Sequence, residues 1–520
     1  MNAYRLLGLL ASLSFISVLS IQHAEGQCRV NEGAKMTAAD ANSSDEFGRS
    51  VSVSGTVAVV GSWQDDDAGS ASGSAYVYRL NGGTWVEEQK LTASDPDSGD
   101  GFGYSVSISG DVALIGSISD EDAGINSGSA YVYRFDGSTW VEEQKLTPSD
   151  ADANDWFGIS LSISGDVAVV GARFDDDACP ENPLCESGSA YVYRFNGRTW
   201  VEEQKLTASD ATQGDGFGRG VSVSGDVAVV GAYLDDDAGG NSGSAYVYRF
   251  DGSAWIEEQK LTASDGAASD LFGISVSVSG DVAVIGAVFD DDAGSWSGSA
   301  YVYRFNGSAW VEEQKLTASD AAAGDRYGNS VSISGNVVVV GSHNDDGAGF
   351  DSGSAYLYRF DGSTWVEARK LTASDAAPDD RFGYSVAISG GVVVVGSYKD
   401  DDPFGEDPTS NSGSVYAFGG NPVLSQPPCG AIDARQPSAP DGSEPAGWGS
   451  IAMTFDEPPG PLNAEDFAVV INPPGDAPTV TAVTVDGNTA TVHFNDFIAT
   501  RAWTTITHWP TGAVTRTGYL

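Results

Sequence analysis

The sequence is short of basic residues. Of its 520 residues, 26 are Lys or Arg and 73 are Asp or Glu, which gives a formal net charge of -47. We therefore expect no nucleic-acid partner, because binding phosphates requires a basic surface. Cations, cationic surfaces and neutral ligands such as glycans stay compatible with this charge. A simpler interpretation is also open, since an acidic exterior keeps an extracellular protein soluble.

Long apolar runs are missing outside the N-terminus. There, Arg5 supplies a positive charge, residues 6–21 are apolar, and Ala24-Glu25-Gly26 has the small residues of a cleavage site. Residues 1–26 therefore predict a signal peptide, and the mature protein is expected to be extracellular, either secreted or held at the cell surface. No other stretch approaches 18 apolar residues, so no membrane insertion is expected.

Cysteine and histidine are scarce, and no known catalytic motif is present. Cys179 and Cys185 bracket a short segment, which predicts a local disulfide in an oxidising compartment. A zinc site would need two further ligands nearby, and none is evident. His343 stands alone, and there is no Gly-x-Ser-x-Gly elbow, zinc-binding His pair or phosphate-binding loop with Lys. We therefore expect that the protein is not an enzyme.

The sequence does contain extensive repetition. The fourth copy of the repeat, residues 206–260, reads LTASDATQGDGFGRGVSVSGDVAVVGAYLDDDAGGNSGSAYVYRFDGSAWIEEQK. An aromatic-Gly pair recurs in each copy, at Phe47, Phe102, Phe157, Phe217, Phe272, Tyr327 and Phe382. The step is 55 residues except for one of 60, whose five extra residues fall in the loop between Cys179 and Cys185. A fixed period of this kind is typical of a repeat architecture.

Each copy divides into four strand-like runs. In the fourth copy they are FGRGVSVS, DVAVVGA, SAYVYRF and WIEEQKLT, separated by a turn, a longer acidic loop and a second turn. Four antiparallel strands in each of seven units predict an all-β fold, a seven-bladed β-propeller of four-stranded blades. The Trp of the fourth run is expected to pack between blades. The charges that follow it are expected to protect an outer edge strand.

The two ends of the repeated region are predicted to meet. The seventh copy stops after its third run, at residues 412–420, and residues 29–40 match the missing fourth run apart from one extra residue. We therefore predict a propeller over residues 27–421, closed by the N-terminal strand 29–40, and expect a monomer. The meeting of the ends also permits a disulfide between Cys28 and Cys429.

At these residues the repeat resembles the FG-GAP repeat of integrin α-subunit propellers and their bacterial relatives, over about residues 29–420. The resemblance implies an extracellular interaction module and does not imply catalysis. One feature departs from the integrin pattern. Integrin-type calcium sites use an Asp-x-Asp-x-Asp series between the first and second strands, whereas here that loop is as short as Ser109-Gly110-Asp111. The integrin calcium sites therefore cannot be carried over.

Most Asp residues fall in two loops of each blade, the one after the second strand and the one leading to the next blade. Because the strands are antiparallel, both loops emerge on one face, which should be densely acidic. Carboxylates there could bind a hard cation such as Ca²⁺, or they could cap their own loops through backbone N–H groups. Consecutive Asp residues do not match the 1-3-5 spacing of an EF-hand. The candidate metal ligands are Asp65, Asp67, Asp120, Asp122, Asp175, Asp177, Asp235, Asp237, Asp290 and Asp292.

The C-terminal part differs in composition from the repeats. Residues 422–447 are rich in Pro, Gly and Ser and predict a linker. Residues 448–520 alternate in β fashion, with a hairpin turn at Asp486-Gly487-Asn488, and predict a small immunoglobulin-like β-sandwich.

Two functions are compatible with the sequence. The first is a secreted or cell-surface binding or adhesion protein that presents its acidic face to an extracellular protein or glycan. The alternative is a secreted propeller-type hydrolase acting on polysaccharide, because paired carboxylates are plentiful. A single catalytic centre should make one blade depart from the pattern. The irregular positions are the insert at 179–185, the loop around Gly347 and the loop from Asp400 to Asn411.

Overall fold

The computed structural model describes residues 32–176, 185–401 and 411–419 in full, together with the backbone of further strands between residues 432 and 519. All regular structure in these residues is β-strand. In the part of the chain so described, no helix is long and apolar enough to cross a membrane. The predicted signal peptide, Cys28, Cys179 and Cys429 lie outside the described residues, so both disulfides stay predictions. Cys185 is buried and is not a free thiol.

The repeated region forms seven four-stranded sheets, numbered here as blades in chain order. Blade 1 consists of β2 (Ser50–Ser54), β3 (Val57–Ser62), β4 (Ser74–Asn81) and β5 (Thr84–Leu91). Blade 2 consists of β6 (Phe102–Ser109), β7 (Val112–Ser117), β8 (Ser129–Phe135) and β9 (Trp140–Leu146). Blade 3 consists of β10 (Phe157–Ser164), β11 (Val167–Ala172), β12 (Ser189–Phe195) and β13 (Trp200–Leu206). Blade 4 consists of β14 (Phe217–Ser224), β15 (Val227–Ala232), β16 (Ser244–Phe250) and β17 (Trp255–Leu261). Blade 5 consists of β18 (Phe272–Ser279), β19 (Val282–Ala287), β20 (Ser299–Phe305) and β21 (Trp310–Leu316). Blade 6 consists of β22 (Tyr327–Ser334), β23 (Val337–Ser342), β24 (Ser354–Phe360) and β25 (Trp365–Leu371). Blade 7 consists of β26 (Ser385–Ser389), β27 (Val392–Ser397), β28 (Ser414–Gly419) and β1 (Glu32–Met36).

The blades close into a ring. The first strand of each blade contacts the first strand of the next, and β26 of blade 7 contacts β2 of blade 1. Blade 7 has the strand order β1-β28-β27-β26, with Lys35 opposite Tyr416 and Met36 opposite Val415. The N-terminal strand therefore supplies the outer strand of the last blade. The predicted seven-bladed propeller is confirmed.

The hydrophobic core lies between neighbouring blades. The second strand of blade 4, β15, is buried along its whole length, as its run of apolar residues predicts. One core cluster joins Val169 of blade 3 to Phe217 and Trp255 of blade 4. The indole N–H of Trp255 donates to Glu203 of blade 3 at 3.0 Å. The repeated Trp thus packs between blades, as expected.

Close backbone approach explains two repeated glycines. A Cβ on Gly231, in the second strand of blade 4, would lie 1.9 Å from the carbonyl oxygen of Gly273 in blade 5. Gly273 follows the aromatic residue of its blade, has a φ of +93° and would itself clash with the Ser244 carbonyl oxygen at 2.3 Å. Only glycine allows this approach without displacing backbone. The Phe-Gly pair and the glycine of the second strand are therefore two sides of one inter-blade contact.

The chain divides into two compact units, of which Val30–Gln426 contains the propeller. The other contains two sheets, of orders β29-β30-β33-β32 and β31-β34-β35. Their strands are β29 (Ile432–Asp433), β30 (Trp448–Thr454), β31 (Phe467–Asn472), β32 (Val480–Asp486), β33 (Thr489–Ile498), β34 (Trp503–His508) and β35 (Val514–Tyr519). Asp486 pairs with Thr489, where the sequence predicts a hairpin. The immunoglobulin-like assignment and most of the predicted linker stay untested.

Candidate functional site

The acidic loop after the second strand holds carboxylates in two different environments. In blade 4 the first residue, Asp235, is 4% exposed, whereas Asp236 and Asp237 are exposed. The hydroxyl of Tyr246, on the third strand, lies 3.0 Å from Asp235 Oδ2 and 2.7 Å from Asp210 Oδ1. Asp210 belongs to the loop that joins blade 3 to blade 4. The two acidic loops that the sequence placed on one face therefore meet at each blade junction.

A lysine ammonium occupies the centre of this group. Lys260, on the outer strand of blade 4, places its Nζ 2.8 Å from Asp210 Oδ2, 2.9 Å from Asp235 Oδ2 and 2.5 Å from Asp237 Oδ2. Burial alone would lower the pKa of Lys260, but the hydrogen bonds to the three carboxylates outweigh it and raise the pKa above its ordinary value. The Lys is therefore charged at physiological pH and neutralises part of the loop.

The same arrangement recurs around the ring. Lys145 and Lys315 repeat it with three carboxylates each. The remaining junctions join Lys90 to Asp40, Asp65 and Asp67, Lys205 to Asp150 and Asp175, Lys370 to Asp320 and Asp345, and Lys35 to Asp375 and Asp400. In blade 6 the third loop position is Gly347, so Lys370 has one carboxylate fewer. Each Lys binds a loop of its own blade to the loop arriving from the preceding blade.

The predicted calcium ligands are thus placed together but are already engaged. The carboxylates of Asp210, Asp235 and Asp237 lie close enough to hold a metal ion, as do those of Asp265, Asp290 and Asp292. In both groups, however, the ammonium hydrogen-bonds all three carboxylates, so a cation would have to displace it. The capping alternative is also present, because the backbone N–H of Asp237 donates to Asp235 Oδ1 at 3.1 Å. Asp67, Asp122 and Asp292 donate in the same way. Asp177 lies outside the described residues.

A second buried Asp caps each loop between blades. The backbone N–H of Asp152 donates to Asp155 Oδ2 at 2.8 Å. Burial raises the pKa of Asp155 to about 7, and the charge of nearby Asp175 adds to the effect. Burial likewise raises the pKa values of Asp45, Asp100 and Asp325 to about 6. These carboxyls are structural, and their ionisation above pH 6 destabilises the folded protein.

A different set of residues surrounds the axis on the same face. The residue after the aromatic-Gly pair lies near the start of the innermost strand, and the residue after the second strand begins the acidic loop. The residue just before the aromatic-Gly pair lies beside them. These three positions vary between copies that are otherwise nearly identical, and in blade 1 they are Arg49, Trp63 and Glu46. We call Arg49, Arg173, Arg219, Arg326, Arg381 and His343, with the aromatic rings that contact them, the axial cluster.

Aromatic rings enclose two of these arginines. The guanidinium of Arg49 lies 4.9–5.8 Å from the ring centroids of Trp63, Tyr104, Tyr384 and Tyr398, which come from blades 1, 2 and 7. The guanidinium of Arg173 in blade 3 lies 4.0 Å from Phe174 and 5.0 Å from Trp156, and it donates to the Tyr233 hydroxyl at 2.5 Å. Stacking on several rings fixes a guanidinium plane in place.

The remaining members connect through further contacts. His343 of blade 6 meets Tyr384 edge-on at 5.3 Å, and Arg381 donates to Asn344. Arg326 lies 5.5 Å from Phe289 of blade 5. Burial alone would raise the pKa of Tyr104, yet the charges of Arg219, Arg49 and Arg173 hold it below its ordinary value. Arginines of blades 1, 3 and 4 thus act electrostatically on one tyrosine of blade 2, and Arg49 contacts its ring directly.

Sequence reasoning missed the axial cluster. These residues form no catalytic or metal-binding motif within any one copy of the repeat. Aligning the seven copies would have found them, because the positions on either side of the aromatic-Gly pair and the position after the second strand are among the few that change from copy to copy. The structural reason is that residues repeated in every copy make the contacts common to all blade junctions, whereas the contacts of these residues differ from blade to blade.

Comparison with known proteins supports the repeat assignment. The family model described as the FG-GAP repeat matches residues 30–78, 85–133, 140–193, 200–248, 255–303, 310–358 and 365–418. No curated protein matches the chain. Among solved structures, the crystal structure of Saccharomyces cerevisiae Sqt1 has 12% sequence identity and a TM-score of 0.41, over 89% of this chain and 98% of that chain. This likeness is too low to support an inference. The seven matched segments cover most of the sequence, and the chain belongs to the FG-GAP repeat family.

Proposed function

We propose that the protein is an extracellular binding or adhesion protein, secreted or held at the cell surface, that presents the loop face of its propeller to a protein or glycan. One observation carries this proposal. The copies are nearly identical where they build blades and differ where the innermost strand and the acidic loop meet at the axis. Loops carried on a rigid scaffold are the usual place for recognition.

The paired carboxylates give the hydrolase alternative little support. A glycosidase needs one carboxylic acid and one free carboxylate facing the scissile bond. The closest pairs here, such as Asp210 and Asp235, share one ammonium and one tyrosine hydroxyl and are repeated around the ring. Their geometry stabilises blade junctions. Within the described residues, no blade has such a carboxylate pair free of its Lys ammonium and Tyr hydroxyl.

Binding of the purified protein to arrays of defined glycans and to immobilised extracellular-matrix proteins tests the proposal. Two variants are compared. Arg49→Ala with Tyr384→Ala changes the axis of the loop face, and Arg198→Ala changes a turn between third and fourth strands, on the opposite face. We expect specific binding that the first variant loses and the second keeps. Binding that neither variant changes would contradict the proposed face, and hydrolysis of an arrayed polysaccharide would favour the alternative function.

A further inference from the structure

Basic residues are distributed unevenly over this acidic protein. Thirteen positions in the propeller repeat from blade to blade: the seven junction lysines already described, and an Arg on the third strand of blades 1 to 6. Five of these arginines pair with a Glu of the neighbouring outer strand, as Arg249 does with Glu258 at 2.9 Å. Of the basic residues in the described propeller that do not repeat, only Arg198 and Arg369 lie outside the axial region. The other six are Arg49, Arg173, Arg219, Arg326, Arg381 and Lys399.

Acidic partners compensate only part of this charge. Arg381 pairs with Asp351 at 2.7 Å, and Arg49 lies 3.6 Å from Glu46. Within the described residues, Arg173, Arg219 and Arg326 have no ion pair. Three arginines without an ion pair in the described part of the chain are unusual, since the formal net charge is -47.

Several polar atoms of the axial cluster also lack hydrogen-bond partners. Among the residues that the structure describes, the buried Nε atoms of Arg173 and Arg326 find no partner, and neither does Nδ1 of His343, a residue that is 5% exposed. Buried polar groups are normally satisfied, because an unmade hydrogen bond costs about 1–3 kcal/mol. An acceptor from outside the chain would satisfy the two Arg donors, and also Nδ1 of His343 in the tautomer that carries the proton there.

The electrostatic environment favours an anion as that acceptor. Burial lowers the pKa of His343 to about 3, and the charges of Arg326, Arg381 and Lys399 act in the same direction. Burial also lowers the pKa of Arg173, with repulsion from Arg219 contributing. A bound anion would relieve this repulsion. Guanidinium groups with fixed planes match the geometry of an oxyanion, which accepts two parallel N–H bonds from each.

The surroundings indicate what the anion is attached to. Exposed carboxylates such as Asp236 and Asp237 rim the same face, so an extended polyanion would be repelled while a single anionic group on a neutral body would not. Two aromatic side chains on the acidic loops are exposed: Trp296 at 51%, and Phe350 at 67%, which precedes Asp351, the partner of Arg381. Trp296 contacts Phe289, the ring beside Arg326, at 5.4 Å. Exposed rings beside fixed polar groups suit the amphipathic faces of a sugar.

We propose that the axial cluster binds one oxyanion group, a carboxylate or a sulfate, carried by a sugar residue of an otherwise neutral glycan. This inference rests on the proposed binding function and names the ligand class of the same face. Arg219 and Arg173 would hold the oxyanion, and the exposed rings of blades 5 and 6 would contact the neutral part.

Titration calorimetry of the full chain tests it with four probes at matched ionic strength: the methyl glycosides of glucuronic acid, of a sulfated glucose and of glucose, and a short neutral peptide with a free C-terminal carboxylate. We expect the glucuronide or the sulfated sugar to bind at least tenfold more tightly than the neutral glycoside. Arg219→Met should weaken that binding at least tenfold and leave the melting temperature unchanged. Arg198→Met removes the same charge from the opposite face and should not alter binding.

The outcomes separate this inference from the broader function. Equal binding of charged and neutral glycosides, or anion binding that Arg219→Met leaves intact, would overturn the oxyanion site while glycan binding stood. Tighter binding of the peptide than of either acidic sugar would overturn the sugar assignment. Failure of all four probes would also overturn the inference, and the array experiment would still decide whether the protein binds other ligands.

Discussion

Replacing Lys260 by Met is the sharpest test of how the blade junctions are held. The Met side chain has a similar length but no charge, so it keeps most of the packing against Tyr246, whose ring centroid lies 5.1 Å from Nζ. The change leaves the buried carboxylate of Asp235 without its ammonium, while Asp210 and Asp237 stay close by. We therefore expect a large loss of stability from a single substitution.

The size of the loss follows from burial. Removing one partner of a buried ion pair costs about 3–5 kcal/mol, because the other charge stays desolvated. A folded unit of about 400 residues has an unfolding entropy of about 0.8 kcal/mol per kelvin, so the melting temperature should fall by about 4–6 °C. The matched control is Arg249→Met, which removes a more exposed cation paired with Glu258. It should cost about 1 kcal/mol or less.

Calcium distinguishes the two interpretations of the acidic loops. Without the ammonium, Asp210, Asp235 and Asp237 offer carboxylate oxygens within 4.8 Å of one another, a spacing that Ca²⁺ can bridge with oxygen distances of about 2.3–2.6 Å. Millimolar Ca²⁺ should therefore raise the melting temperature of Lys260→Met by several degrees and that of the unmodified protein by much less. Lys370→Met is the internal control, since Gly347 removes the third carboxylate of blade 6 and rescue there should be weaker.

Scanning calorimetry with and without Ca²⁺, after treatment with a chelator, measures all four proteins. Two results would refute the reasoning. If Lys260→Met melted with the unmodified protein, the ammonium would contribute nothing to the junction. If Ca²⁺ stabilised the unmodified protein as much as Lys260→Met, the metal would not compete with the Lys.

Three further predictions follow from the same contacts. The pKa of Asp155 rises from an ordinary 3.8 to about 7 on folding, so its contribution to stability is complete below pH 3.8 and is lost as the pH rises to 7. The protein should therefore have a higher melting temperature at pH 5 than at pH 7.5. Asp155→Asn should raise the melting temperature at pH 7.5 and make it depend less on pH. Gly231→Ala should prevent folding or lower the melting temperature by more than 5 °C, because its Cβ would lie 1.9 Å from a carbonyl oxygen. A Cβ on Gly240 would meet no heavy atom within 4 Å, so Gly240→Ala should change the melting temperature by less than 1 °C in the same scan. Deleting residues 30–40 removes the outer strand of blade 7 and should expose the edge of β28. Light scattering should then detect association, and calorimetry should show a lower melting temperature. Adding the deleted segment as a peptide should reverse both effects.

The strands were predictable because each copy encodes its fold locally. The runs FGRGVSVS and SAYVYRF coincide with β14 and β16, and the expected second and fourth runs differ from β15 and β17 by one residue at one end. Alternation, β-branched residues and Gly-containing turns determine these elements within a few residues. Ring closure was predictable as well, since the missing outer strand of blade 7 was found at the N-terminus.

The role of the outer-strand charges was not predictable in the same way. The sequence suggested that Glu257, Glu258, Gln259 and Lys260 protect an edge. In the structure, Glu257 accepts a hydrogen bond from Ser209, Glu258 pairs with Arg249, and Gln259 donates to the Trp310 carbonyl of the next blade. The register that brings Lys260 opposite Tyr246 includes a bulge at Val247 and Tyr248. Contacts of this kind depend on tertiary placement, which periodicity does not specify.

The junction lysines and the axial arginines have different roles on the loop face. At each blade junction a repeated Lys neutralises carboxylates that belong to the fold, and it recurs because the junction recurs. At the axis, five arginines come from five of the seven blades, and Arg173, Arg219 and Arg326 have no ion pair among the described residues. Charge that stabilised the scaffold would be expected at the same position in every copy. The axial arginines instead stand at three different positions of the repeat and are missing from blades 2 and 5, which is why we propose ligand binding for the axial cluster and a stabilising role for the junction lysines.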